Sequence, residues 1–233
     1  MITEEGFVDF KCPYCGGAVS FPQDHAGTVQ SCPDCSEALI VPEDGSELGR
    51  KIALPIKTPR LVLRRLAPGD WKALLEFVGD EELFRFVDAN PLDEDAVLRW
   101  LETDRHVVLT TPNQTFYLGI ESAEAGKLIG FAGLSFEAHS VQASFQIYIS
   151  REFQRQGFGL EAADAVLDFC FEGIRLHRVS AGCDSRNVPA LGLFRKLGLR
   201  QEGEFLKDRL LKGEWVNTVV FAALQEEYSA AAE

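Results

Sequence analysis

The chain predicts an α/β fold of the α+β kind, with one mixed β-sheet flanked by helices and a small β-rich module ahead of it. Three observations carry this. Two C-x2-C pairs lie within the first 35 of 233 residues. Segments with period-two alternation follow one another as hairpins later in the chain. A glycine-rich loop, Gln154-Arg155-Gln156-Gly157-Phe158-Gly159, joins a strand pattern to a helix pattern.

Cys12-Pro13-Tyr14-Cys15 and Cys32-Pro33-Asp34-Cys35 are separated by sixteen residues. Each pair can aim two thiolates at one point, and two pairs complete a tetrahedron around Zn2+. Ala18–Phe21 and Thr28–Ser31 read as two short strands, with Asp24-His25-Ala26-Gly27 as their turn. The pattern is that of a zinc ribbon. Four thiolates leave no open coordination position, so the ion is expected to be structural. Iron held by paired Cys-Pro-x-Cys turns is the alternative. A module of this size buries too little surface to fold without its metal. Residues 1–41 are assigned to the ribbon, 42–57 to a polar linker and 58–233 to a second domain.

The net charge is −13, and residues 1–58 carry four Lys/Arg against nine Asp/Glu. This opposes nucleic acid as a partner and leaves the ribbon to dock on a protein or on the second domain. An acidic chain suits a cationic acceptor drawn in by its field. No apolar run is long enough to cross a membrane. The acidic N-terminus lacks the features of a signal peptide, so a cytoplasmic location is expected. Cys170 and Cys183 sit alone in apolar patterns and read as buried hydrophobes.

In the second domain, Arg60–Leu66 alternates as a strand, and Pro68-Gly69-Asp70 opens a helix carrying Trp71, Leu74, Leu75 and Val78. A second helix runs from about Asp93 to Arg105. Three strands follow, Phe116–Ile120, Leu128–Phe136 and Ala143–Ile149, with turns at Gly126 and at His139-Ser140. After the glycine loop comes a helix with Leu160, Ala163, Val166, Leu167 and Cys170 on one face, ended by Gly173. A strand spans His177–Cys183. Asn187 caps a short helix that stops before Gly198. Two strands close the chain, through Phe205–Leu210 and Trp215–Leu224. An antiparallel meander therefore passes through one crossover helix into a parallel neighbour.

The glycine loop turns successive N–H groups toward one point, where a phosphate can sit at a helix N-terminus. Gly157-Phe158-Gly159-Leu160-Glu161-Ala162 also matches the dinucleotide fingerprint G-x-G-x-x-A. Seven residues from Ser150 to Gln156 intervene after the strand, and the preceding strands form hairpins rather than βαβ units; both oppose that reading.

Gln154-x-x-Gly157-x-Gly159 resembles the coenzyme A pyrophosphate loop of the GNAT acetyltransferases. The resemblance extends over residues 58 to about 228. Thr58-Pro59-Arg60-Leu61-Val62-Leu63-Arg64 is similar to the opening of the RimJ/RimL-type branch. Leu128–Gly133, Asn187-x-x-Ala190 with Lys196-Leu197-Gly198-Leu199, Glu202-Gly203 and the closing Gly213–Tyr228 also fit. The fold this implies is a sheet splayed between the strands ending at Ile149 and Cys183.

The activity it implies is direct attack of an amine, a protein α-amine or a small amine, on acetyl-CoA. Gln154, Arg155, Gln156, Gly157, Phe158, Gly159 and Leu160 would hold the pyrophosphate, Asn187 the pantetheine arm, and the backbone at Tyr148 and Ile149 the thioester carbonyl. Where many relatives carry a tyrosine acid this chain has Phe194, and where the Rim-type branch often has serine it has Ala190. Glu137, ahead of the strand, ranks first as general base. A binding module that holds acetyl-CoA without transfer is the alternative.

Overall fold

The computed structural model describes residues 6–43, 46–107, 109, 114–137 and 141–231. The expected turn at His139-Ser140 and positions 44–45 of the linker lie outside the described residues.

At the N-terminus, β1 (Phe7–Lys11) pairs with β2 (Ala18–Pro22), and β3 (Val29–Ser31), β4 (Ala38–Ile40) and β5 (Arg50–Lys51) form a second antiparallel sheet. The two strands read from sequence are present, but each pairs outward, with β1 and β4, rather than with the other. Each C-x2-C is thus the turn of its own hairpin. The two turns repeat one hydrogen-bond pattern: Gly16 N donates to Cys12 O and Ser36 N to Cys32 O, both at 2.9 Å, and both residues have positive φ. The segment expected as linker contributes β5 to the ribbon sheet and β6 (Ile56–Lys57) to the main sheet.

The rest of the chain runs β7 (Leu61–Arg65), α1 (Trp71–Val78), α2 (Glu94–Asp104), β8 (Thr115–Ser122), β9 (Lys127–Phe136), β10 (Gln142–Ile149), α3 (Phe158–Asp168), β11 (Arg178–Asp184), α4 (Val188–Lys196), β12 (Arg200–Leu211), β13 (Glu214–Leu224) and α5 (Gln225–Ala231). Helix starts follow their caps. Asp93 accepts from Ala96 N at 2.8 Å and Asn187 Oδ1 from Ala190 N at 3.2 Å, while Gly198 just past α4 has φ +73°.

The main sheet has the order β12-β13-β11-β10-β9-β8-β7-β6. Its β10–β11 pair is parallel, the other neighbours antiparallel. Strand alternation sorts side chains onto two faces. One face packs Phe145, Ile149, Val179, Ala181, Val219 and Phe221 under α3 and α4. The other packs Phe131, Tyr117 and Tyr148 under α1 and α2. Val29, Ala38 and Ile40 of the ribbon join the first cluster, while Leu39 and Val41 join the ribbon's own. The ribbon is therefore packed onto the second domain, and Glu43 also pairs with Arg175.

Glu202 ties β11 to β12 by accepting from Arg178 and Arg200, both at 2.9 Å. Arg178 first, then Arg200, holds the Glu202 carboxyl down to about 2 from an ordinary 4.5. A lowered carboxylate pKa gives stability that is complete above the unfolded value and is lost as pH falls through the folded one. Glu202→Gln should therefore lower stability at pH 7 by about 1 kcal/mol, discounted for solvent exposure. The gap from wild type should close between pH 4.5 and about 2. Urea denaturation at pH 7 and at acid pH measures it; a gap of equal size at both values rejects the assignment.

Candidate active site and metal centre

β10 and β11 pair over three residues only, Gln142–Ser144 with Arg178–Ser180, and then separate. The rest of β10 loses its neighbour on that side, and the register says which amides are left. Ser150 N donates to Ile129 O at 2.8 Å and Glu137 N to Gln142 O at 3.2 Å, with no register shift between. Even-numbered residues of β10 therefore turn their backbone toward β9, and odd-numbered ones toward the gap. Ile147 and Ile149 face the gap. The Tyr148 amide faces β9, opposite Phe131, so of the expected pair the Ile149 backbone is the one that reaches the opening. The side chain of Gln154 donates to Ile149 O at 2.9 Å, bracing the strand end.

The loop after β10 makes a helical turn at Arg151–Phe153 and then alternates its backbone hand. Arg155 has φ +61° and Gly157, the N-cap of α3, φ +86°. Gly157 offers no side-chain cap, so the N–H groups of Phe158, Gly159 and Leu160 open outward at the helix start, where an anion is favoured. This is an anion nest built by backbone. It is held from below by Glu161. That carboxylate accepts from Thr58 Oγ1 and Arg60 Nε, both at 2.6 Å, and from Arg60 N at 2.9 Å. Arg60 also donates to Gln156 O at 3.1 Å and lies over the Phe158 ring. The Thr58-Pro59-Arg60 opening thus clamps the nest, a role for which the sequence carried the residues but not the pairing.

Asn187 sits at the start of α4, across the gap from the nest, with its Oδ1 used as cap. The turn before it is made by Asp184, a buried carboxylate that accepts from Arg186 N, Nε and Nη2. Arg186 first, with burial opposing it, holds Asp184 below the usual carboxylate range. Phe194 is buried against Phe145 and Phe221.

Glu137 is not brought to this site. The β9–β10 hairpin places it beside Gln142, five to seven residues from Ile147 and Ile149, roughly 17 to 23 Å along the strand. It is exposed, and its charge acts on Arg178. Nearness in sequence to the start of β10 put it at the wrong end, and the role of base is withdrawn from it.

On the α1/α2 side of the gap, the Tyr148 side chain joins residues that sequence reasoning gave no role in the site. Trp100, Tyr117, Phe131 and Tyr148 form a chain of ring contacts, with centroids 4.8 to 5.8 Å apart. Burial raises the Tyr117 and Tyr148 phenols above their ordinary values, so both are neutral hydroxyls at pH 7. Asp104 is buried at the end of α2; burial raises its pKa and Arg65, 3.6 Å away, partly offsets this. Their spacing in sequence, 100, 104, 117, 131 and 148, carries no motif.

In the ribbon the four cysteine Sγ atoms lie within 4.8 Å of one another. Cys12–Cys35 is 3.7 Å and Cys15–Cys32 is 3.8 Å. A tetrahedral ion with metal–sulfur bonds of about 2.3 Å requires sulfurs about 3.8 Å apart, and a disulfide requires about 2 Å. The donor set fits a closed tetrathiolate site.

The family profile described as an acetyltransferase (GNAT) domain matches residues 60–200. An uncharacterised N-acetyltransferase of Bacillus subtilis, YnaD, is 26% identical over 175 residues, 75% of this chain and 99% of that protein. The crystal structure of a GNAT-family acetyltransferase from Bacillus anthracis superposes with a TM-score of 0.68 at 23% identity, covering 74% of this chain and 99% of that one. A spermidine N-acetyltransferase from Vibrio cholerae, solved with CoA and spermine, gives a TM-score of 0.65 at 23% identity, with the same coverages.

Proposed function

The chain belongs to the GNAT acetyltransferases and is an acetyl-CoA-dependent enzyme; from that premise we propose that it moves the acetyl group to a primary amine by direct attack in a ternary complex. The observation that carries this is the parting of β10 from β11 after Ser144–Ser180, with the nest of Arg155 to Leu160 at its open end. Backbone N–H groups of the nest take the pyrophosphate. Asn187, whose Oδ1 caps α4, would offer its amide nitrogen to pantetheine in the gap. The thioester carbonyl would meet the Ile149 N–H, on the strand edge that β11 leaves and that Gln154 braces through Ile149 O. The amine enters on the α1/α2 face beside Tyr148, whose neutral phenol can give a proton to the leaving thiolate, while the proton shed by the amine passes through water and restores the phenol.

Among the described residues, the buried carboxylates Asp104 and Asp184 lie against Arg65 and Arg186, and neither is assigned as base. This favours acceptors that are already partly neutral near pH 7.5, such as α-amines with a reference pKa near 8, over lysine-type amines near 10.4. The four cysteines are proposed to hold a structural Zn2+, and the motif order favours the RimJ/RimL-type branch.

Free-thiol release from acetyl-CoA, with peptide N-termini, amino acids and polyamines as acceptors, tests the reading. Turnover is the expected result, with the activity limb rising near the pKa of the acceptor amine. Stabilisation by acetyl-CoA without turnover on any acceptor would instead support a binder that does not transfer, the reading that Phe194 and Ala190 favour. Absence of both would sink the assignment of the nest.

A further inference from the structure

Among the described residues, Arg209 is a cation in the wrong place for structure alone. Its Nε and Nη2 are shut away from water and hydrogen-bonded to nothing, and it joins no ion pair. Arg65, the other arginine with a buried unsatisfied nitrogen, still holds Asp104. Arg209 is half-buried, and leaving two of its guanidinium nitrogens dry and unpaired carries a cost that a partner would remove.

The backbone is built to put it there. Between Phe205, opposite Thr218, and Arg209, opposite Val216, β12 places three residues against one of β13. The bulge is pinned by Lys207 at φ +49°, whose N–H donates to Asn217 Oδ1 at 2.9 Å, while Asn217 Nδ2 donates to Glu204 at 2.8 Å. Cross-strand partners share a face. Arg209 therefore sits with Val216 and Thr218, and across β11 with Gly182 and Asp184, on the face of Gln146 and Tyr148. Its charge reaches Tyr148, Cys183 and Asp184.

Two candidates for its missing partner are already ruled out. The nest opens at the start of α3, on the opposite face of the sheet, so the cofactor pyrophosphate is not available to it. The neighbouring carboxylates face other groups: Asp184 and Glu214 face Arg186, Glu204 faces Asn217, and Asp104, whose oxygens accept no hydrogen bond, faces Arg65 at 3.6 Å. What remains is the acceptor, which arrives on this face.

We infer that Arg209 recognises a carboxylate on the acceptor, so that the substrate class is amines carrying an acidic group, amino acids or short acidic peptides, rather than polyamines. This rests on the proposed transfer to an amine on the α1/α2 face. The guanidinium fork takes the carboxylate in paired, charge-assisted hydrogen bonds and thereby turns the amine toward the gap. A polycation at the same place meets an unpaired like charge, which is discrimination by repulsion. The chain's net negative charge slows the arrival of such an acceptor but does not reverse the local preference.

The test compares matched acceptors, amino acids with their amides and peptides bearing Glu or Asp with their Gln or Asn counterparts, alongside spermidine. Wild type should favour each acid over its amide by about 30-fold in kcat/KM, since a charge-assisted bond to a buried group is worth that much. Arg209→Gln should collapse the ratio toward one, chiefly through the acceptor KM, while the KM for acetyl-CoA holds. Arg209→Lys should recover part of it. Melting temperature gives an independent reading: Arg209→Gln should be as stable as wild type or more so. Preference of wild type for amides or spermidine, or an acid-to-amide ratio that survives Arg209→Gln, overturns the inference. If no acceptor turns over, the proposed transfer fails, and the assignment is then read from thermal stabilisation by the acids in the presence of CoA. A shift lost in Arg209→Gln supports it, and an equal shift in both proteins rejects it.

Discussion

Replacing Cys32 by serine should abolish binding of the proposed Zn2+ and lower the melting temperature of the whole chain, not of the ribbon alone. The reason lies in β4. Its three residues are buried on both sides: Leu39, with Val41 just beyond it, faces the ribbon cluster of Val8, Phe10 and Val19, while Ala38 and Ile40 face the main core. The hairpin carrying Cys32 and Cys35 is the turn between β3 and β4. Without the ion, nothing of comparable strength holds β3 and β4 in register, because a ribbon of this size has little core of its own. Val29 and Ile40 then leave the transferase core, each withdrawing about 1.5 to 3 kcal/mol of apolar burial. For a chain of this length a loss of about 3 to 6 kcal/mol corresponds to a fall on the order of 10 °C. Metal analysis and calorimetry of Cys32→Ser check this, and a chelator should reproduce it in wild type. Cys183→Ser, outside the four-cysteine cluster, should keep one ion per chain. A Cys32→Ser protein that keeps its metal, or one that loses the metal at an unchanged melting temperature, would show the ribbon to be an independent appendage.

Much of this was legible because local chemistry dictates it. C-x2-C spacing places thiolates, Asp93 and Asn187 cap helices wherever they precede one, and glycines at 157 and 198 allow the positive φ that their turns require. The parallel pairing of β10 with β11 followed from a helix between two strands. Pairings across distance were the hidden part. Ala18–Pro22 and Val29–Ser31 look like one hairpin until β1 and β4 are available as better partners. Glu137 looked close to the catalytic strand because sequence distance does not say which end of a strand the chemistry uses. The backbone direction at Tyr148 depends on its register with Phe131, which no property of the residue itself reveals. Arg209 was invisible for a different reason. In Phe205–Leu210 it reads as one more charge on a polar, exposed strand, and only the bulge at Lys207 turns it inward.

The second large effect should come from Gly157, read as a pair of substitutions. At φ +86° any side chain is strained, but asparagine and aspartate tolerate the left-handed region better than other residues, so both variants should fold. A Cβ there would lie 3.2 Å from Arg60 Nη2, the end of a side chain that can shift. The two variants share shape and strain and differ in one charge. That charge sits at a helix N-terminus beside an arginine, where a carboxylate is favoured by up to about 1 kcal/mol. Gly157→Asp should therefore be at least as stable as Gly157→Asn. Toward acetyl-CoA the order reverses, because the same carboxylate occupies the field meant for pyrophosphate and repels it. The KM for acetyl-CoA should rise about tenfold in Gly157→Asn and more than 100-fold in Gly157→Asp, the difference corresponding to roughly 1.4 kcal/mol or more. Steady-state kinetics in acetyl-CoA and thermal denaturation of both variants supply the two orders. Stability and affinity moving in opposite directions on one added charge is the signature of an anion site. If the two variants bound acetyl-CoA equally, Gly157 would matter for backbone conformation alone, and the pyrophosphate would have to be held elsewhere.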